Sequence, residues 1–167
     1  MKRAVVRLIG FLVALTAHTG PGFALEVSRS VEIQTSSAAV WALVGDFCAI
    51  EKWHSMVESC TLSNDDSDEV RAVATRSLVA AGNLGTIVEV ETSRNEKTMT
   101  YSYAYVRGPL PVKAYNATIA VHPNGSGSIV TWTSTFDAAG MTDAEAKADI
   151  EGVYEQGLAG IAKEASR

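Results

Sequence analysis

The sequence predicts an α+β domain in which a curved antiparallel sheet of about seven strands surrounds a long C-terminal helix, with two short helices after the first strand. Three observations carry this. Between residues 57 and 136, strand-like runs are punctuated by turn chemistry at 64–67, 82–85, 95–97, 108–111 and 124–127, which leaves room for six strands. Ahead of them stand one alternating run and two helical stretches. Behind them, apolar residues recur at helical spacing from 143 to about 165.

The chain starts with a charged head, Met1-Lys2-Arg3 with Arg7, followed by an almost unbroken apolar run from Leu8 to Ala17. This is the outline of a secretory signal peptide. The run is interrupted from Thr16 onward, well short of the ~20 apolar residues that span a bilayer. Gly22 and Ala24 stand third and first before an expected cut that would make residues 1–24 the signal and 25–167 a single domain. The alternative keeps the run as an anchor. Either way the domain is expected to be exported, to the periplasm or the medium, and after cleavage no stable membrane insertion is expected.

In the first strand, Val27, Val31 and Ile33 alternate with polar residues, although Arg29 falls on the apolar side. Ser36 or Ser37 can cap a helix running through Val44, and a second short helix is expected over residues 48–54. The next six strands are joined by turns too short for a parallel crossover, so they should pair as antiparallel hairpins. For the final helix, Thr142 and Glu145 form a capping box, and Ile150, Val153, Tyr154, Gly157, Leu158 and Ile161 make a stripe too wide to leave in water. Its only large partner is the concave face of the sheet.

Cleavage would lower Lys plus Arg from 14 to 11 against 19 Asp plus Glu, a net charge of −8. Such a surface disfavours nucleic acid and anionic lipid, which reward clustered cations. The cluster Asp65, Asp66, Asp68 and Glu69 reads as a solvated turn. The chain has no P-loop, HExxH, CxxC or GxSxG, and Gly125-Ser126-Gly127 precedes a strand, so it is no dinucleotide fingerprint. No cofactor or metal site is expected.

His54 and His122 are the histidines beyond the signal, and His122, beside Pro123 at a hairpin end, reads as a solvated turn residue. For Cys48 and Cys60, the only cysteines, export and an even count favour a disulfide. Two buried thiols, or zinc held by Cys48, His54 and Cys60, stand as alternatives. Tyr101, Tyr103 and Tyr105 share one strand face, and Trp132 and Phe136 share another. With Trp53, His54, Tyr154 and Gly157, the residues Tyr101, Tyr103, Trp132 and Phe136 are candidate lining for an apolar cavity between sheet and helix. Core packing is the competing reading for each. Glu89, between Val88 and Val90, is expected to point outward, with a role as a polar handle as its alternative.

Ala39-Val40-Trp41-Ala42-Leu43-Val44-Gly45-Asp46-Phe47 followed by Ile50-Glu51-Lys52-Trp53-His54 resembles the polyketide cyclase/dehydrase branch of the START-like (SRPBCC) superfamily. Gly85-Thr86-Ile87-Val88-Glu89, Tyr101-Ser102-Tyr103, Pro109-Leu110-Pro111-Val112 and Ser128-Ile129-Val130-Thr131-Trp132 with Phe136 extend the resemblance over nearly all of the expected mature chain. It implies a helix-grip fold with a hydrophobic cavity. It does not imply an activity, because the superfamily includes carriers, allergens and cyclases. One departure is Trp53-His54-Ser55, where members often read Trp-His-Pro. An exported, disulfide-capable form is similar to the MxaD-type periplasmic proteins, which are thought to help a methanol-oxidising dehydrogenase meet its cytochrome. The expected function is therefore non-enzymatic: binding of a small apolar ligand, or assistance to a periplasmic redox protein. The alternative is a cyclase or dehydratase acting on a small carbonyl compound, with His54 as base, Tyr101 or Tyr103 steadying an enolate, and Glu89 as acid.

Overall fold

A computed structural model describes residues 24–65 and 73–167. The expected export signal, apart from Ala24, and the acidic residues Asp66, Asp68 and Glu69 lie outside the described residues. The element order is β1 (Leu25–Ile33), α1 (Ser37–Val44), α2 (Ile50–Trp53), β2 (Val57–Asp65), β3 (Val73–Ala80), β4 (Gly85–Asn95), β5 (Thr100–Arg107), β6 (Val112–Asn124), β7 (Gly127–Ala138) and α3 (Asp143–Ala165). The strands form one sheet in the order β1-β7-β6-β5-β4-β3-β2, antiparallel at every pair. Strands β2 to β7 thus form a meander, and β1 returns beside the last of them. This is the predicted α+β architecture of seven strands, two short helices and a long last helix.

Side chains alternate across the sheet, so Val27, Leu78, Tyr101, Tyr103, Ile119, Trp132 and Phe136 all reach the concave side, where they are buried. There α3 lies across them. Thr142 accepts from the Glu145 amide and Glu145 returns to the Thr142 amide, which satisfies two donors at the helix start. From this start Ala146, Ile150, Tyr154, Leu158 and Ile161 form the buried stripe. Each large member contributes about 1.5–3 kcal/mol by leaving water.

The Ser36 hydroxyl caps α1 by accepting from the Ala39 amide. Helix α2 is shorter than expected, because residues 46–49 form turns instead of helix. A 3₁₀ turn at Ala81–Asn83 joins β3 to β4, and positive φ at Gly82 (70°) and Gly85 (109°) lets the chain reverse there without a Cβ clash. Arg29, the anomaly in the first strand, reaches across to α3, where Nη2 lies 2.8 Å from Glu151 and Nε lies 3.1 Å from Glu155. His122 is exposed near the end of β6, as expected.

Candidate functional site

A cavity of about 90 Å³ opens between the sheet and the first half of α3. Leu78 and Ala80 of β3, Ile87 and Glu89 of β4, Tyr103 of β5 and Tyr115 of β6 form its sheet side, while Ile150 and Val153 of α3 face them. At one end stand Leu84 from the β3–β4 turn and Pro109 and Leu110 from the β5–β6 loop. Leu84 is 58% exposed, so this end is the mouth. Two larger depressions, of about 470 and 460 Å³, are open surface grooves between α2 and α3 and on the convex face of the sheet.

The polar feature of the cavity is an ion pair. Arg76 and Glu89 face each other across the β3–β4 hairpin, and Arg76 Nε donates to Glu89 Oε2 at 2.7 Å. Nη2 lies 2.7 Å from the same oxygen without a hydrogen bond of its own. Nη1 donates to the Phe47 carbonyl at 2.6 Å. The guanidinium sits 4.1 Å from the Phe47 ring centroid and 4.8 Å from that of Tyr103, so two rings that are themselves 6.1 Å apart cover adjacent sides of it in a buried site. Burial, the largest single influence, would lower its pKa, but the charge and hydrogen bond of Glu89 together with Tyr101 and Tyr103 outweigh it and hold the pKa above the ordinary arginine range, so Arg76 stays charged. Glu89 does not point outward: it is 4% exposed and lines the cavity. The flanking valines misled the alternation, because Val88 is itself 7% exposed although it lies on the other face. Arg76 was not a predicted site residue. It shares parity in its strand with Leu78 and Ala80, and a charge on the apolar side of a strand is the signal that could have found it.

His54 lines the cavity with its ring, yet both nitrogens are engaged. Nδ1 accepts from the Met56 amide at 3.2 Å, so the proton sits on Nε2 and is donated to the Val153 carbonyl at 3.1 Å. The ring therefore ties the α2–β2 corner to α3. Burial, opposed by that carbonyl and reinforced by the Arg76 charge, pulls its pKa down to about 4.

Tyr103 and Trp132 also line the cavity, and the Trp132 indole N–H donates to the Tyr103 hydroxyl at 2.9 Å. The remaining predicted lining residues lie elsewhere in the core. Tyr154 stacks on Trp132 at 4.3 Å between centroids, and its hydroxyl pairs with that of Tyr115 at 2.6 Å. Phe136 packs on Tyr115, Tyr101 sits against Trp41 and Phe47, and Trp53 stands edge-on to Trp132. Burial raises the pKa of Tyr101 and lifts those of Tyr103 and Tyr115 well above the usual phenol range, so these hydroxyls stay protonated. Gly157 is a packing glycine: a Cβ there would stand 2.6 Å from Trp132 and 2.8 Å from His54. At Gly160 a Cβ would collide with the Trp53 carbonyl. These aromatics fill much of the space between sheet and helix, which is why the cavity is small.

Cys48 and Cys60 form a disulfide with Cα atoms 5.5 Å apart, which leaves neither thiol free for the zinc alternative. It pins the turn that presents Phe47 to Arg76 onto β2.

Residues 24–166 match the family described as polyketide cyclase/dehydrase and lipid transport. The chain belongs to this family. Among solved structures, an uncharacterised protein from Bacillus thuringiensis is 28% identical, with a TM-score of 0.77 over 86% of this chain and 100% of its own. The protein XoxI from Bacillus cereus is 30% identical, with a TM-score of 0.75 over 84% of this chain and 95% of its own. The Zhui aromatase/cyclase from Streptomyces sp. R1128 shares the fold at 16% identity, with a TM-score of 0.68 over 86% of this chain and 94% of its own. No protein of curated function matches the chain in sequence. The fold is the helix-grip of the START-like superfamily. Among the described residues no helix is long and apolar enough to cross a membrane.

Proposed function

We propose that this chain is an exported binding protein that holds a small apolar ligand between its sheet and α3 and does not catalyse proton transfer. The observation that carries the reading is the cavity itself, whose walls are largely apolar: its charges are one internally neutralised ion pair, and the polar atoms of His54, Tyr103, Tyr115 and Trp132 are hydrogen-bonded within the protein. His54, the base that a cyclase would need, has its lone pair on the Met56 amide and its proton on the Val153 carbonyl. The Cys48–Cys60 bridge supports an oxidising compartment and thus the signal reading of residues 1–24. A finer role, assisting a periplasmic dehydrogenase and its cytochrome as MxaD-type proteins are thought to do, is favoured by the net charge of −8 expected after cleavage, which would steer the protein toward a cationic partner.

Calorimetric titration with 1-hexanol tests the binding reading. The wild type should bind it saturably, and Ala80→Leu, which puts a larger side chain into a cavity of about 90 Å³, should weaken binding at least tenfold while the protein stays folded. Absence of saturable binding, or binding indifferent to the filled cavity, would count against the proposal.

A further inference from the structure

The Arg76–Glu89 pair is asymmetric toward the cavity. Both residues border the cavity, but Arg76 is fully buried whereas the Glu89 side chain retains 6% of its surface. Both close contacts from Arg76 fall on a single carboxylate oxygen, Oε2. The cation is held behind, donating to the Phe47 carbonyl and covered by the Phe47 and Tyr103 rings. Only the carboxylate leaves surface open to the cavity, so an entering molecule meets it before the guanidinium.

An ionised carboxylate only accepts hydrogen bonds. A carboxylate-headed ligand would lose its hydration to sit beside a like charge, and both effects oppose it. A cationic ligand would be desolvated into a pocket whose one negative charge Arg76 already balances. A neutral head with an O–H or N–H suffers neither cost, and its donor finds an acceptor in a largely apolar wall. The volume, about 90 Å³, corresponds to roughly three water molecules. The head and first carbons would fill it, and a longer tail would leave past Leu84 at the mouth.

We propose that the cavity selects a neutral ligand whose hydroxyl or amide N–H donates to Glu89 and rejects carboxylate-headed ligands, which makes Glu89 the specificity-determining residue. This rests on the binding reading above. Three probes of nearly equal size separate the two ideas: 1-hexanol carries a donor, its isomer methyl pentyl ether does not, and hexanoate is an anion. At pH 7.5 the wild type should bind 1-hexanol at least tenfold more tightly than the ether and at least a hundredfold more tightly than hexanoate. Glu89→Gln, which uncovers the Arg76 charge, should shift the hexanoate-to-hexanol ratio at least tenfold toward hexanoate. Arg76→Met/Glu89→Leu should bind 1-hexanol and the ether equally. Should Glu89→Gln fail to fold, the wild-type comparison decides alone. Equal binding of alcohol and ether, or hexanoate binding as tightly as the alcohol, overturns the selectivity while leaving the binding reading intact. Binding of none of the three overturns both.

Discussion

Two arginines hold the segment between α1 and α2 to the concave face of the sheet, one at the rim and one beside the cavity. Arg94 lies 6.0 Å from the Trp41 ring centroid and 5.3 Å from that of Tyr101, donates to the Gly45 carbonyl at 2.6 Å, and pairs with Glu91 and Glu96. Arg76 repeats the arrangement two residues further along that segment, with Phe47, Tyr103 and Glu89 in the corresponding places. The chemistry is the same and the surroundings are not. The Arg94 side chain is 26% exposed and water shares its charges, whereas Arg76 is fully buried. A rim clamp of this kind adds modest stability. A buried clamp next to empty space fixes the charge that any ligand will meet.

Breaking the buried pair should have the largest effect. Arg76→Met leaves Glu89 uncompensated and should cost about 3–5 kcal/mol by urea denaturation, whereas Arg76→Met/Glu89→Leu should regain most of it. A double variant no more stable than the single one would mean that packing, and not charge compensation, sets the cost.

That pair also marks where the sequence stopped being legible. The strands announced themselves through alternation and short turns, and α3 through its capping box and stripe, so the architecture could be read in advance. Of the candidate lining residues, His54, Tyr103 and Trp132 lie at the cavity, whereas Trp53, Tyr101, Phe136, Tyr154 and Gly157 pack elsewhere in the core. Aromatic alternation identifies a concave face and cannot tell a lined space from a filled one. Glu89 was misassigned because alternation was read within one strand. With Ala80 opposite Gly85, counting four residues outward along both strands sets Arg76 against Glu89, and only that cross-strand count shows the charge to be paired.

The disulfide sharpens the comparison, because Cys48 adjoins Phe47 at the Arg76 end. Cys48→Ser/Cys60→Ser should lose about 3 kcal/mol for a loop of this length, with sequence separation 12. Affinity for 1-hexanol should fall with it, while the Arg94 end keeps its contacts. An unchanged melting temperature on reduction of the wild type would argue against this.

His54 gives a pH signature of similar size. Its folded pKa of about 4 lies below the unfolded value of 6.5, so the unfolded chain takes up the proton first. The resulting stability, roughly 3 kcal/mol, is fully present above pH 6.5 and is lost as pH falls toward 4. Unfolding free energy measured across pH 4–7 should show this slope, and His54→Gln should flatten it. A variant that keeps the wild-type slope would place the responsible group elsewhere. Smallest of all, Arg94→Met should cost only about 1 kcal/mol, since its partners remain hydrated. A loss matching that of Arg76→Met would erase the distinction between rim and interior.

The central claim, that the space between the sheet and α3 is where this protein binds, is tested most directly by methyl NMR during titration with 1-hexanol. Saturable shifts should concentrate on Ile50, Leu78, Ile87, Leu110, Ile150 and Val153, which line the cavity. Shifts confined to the groove between α2 and α3, at residues such as Ala159, or shifts that grow linearly without saturating, would contradict it.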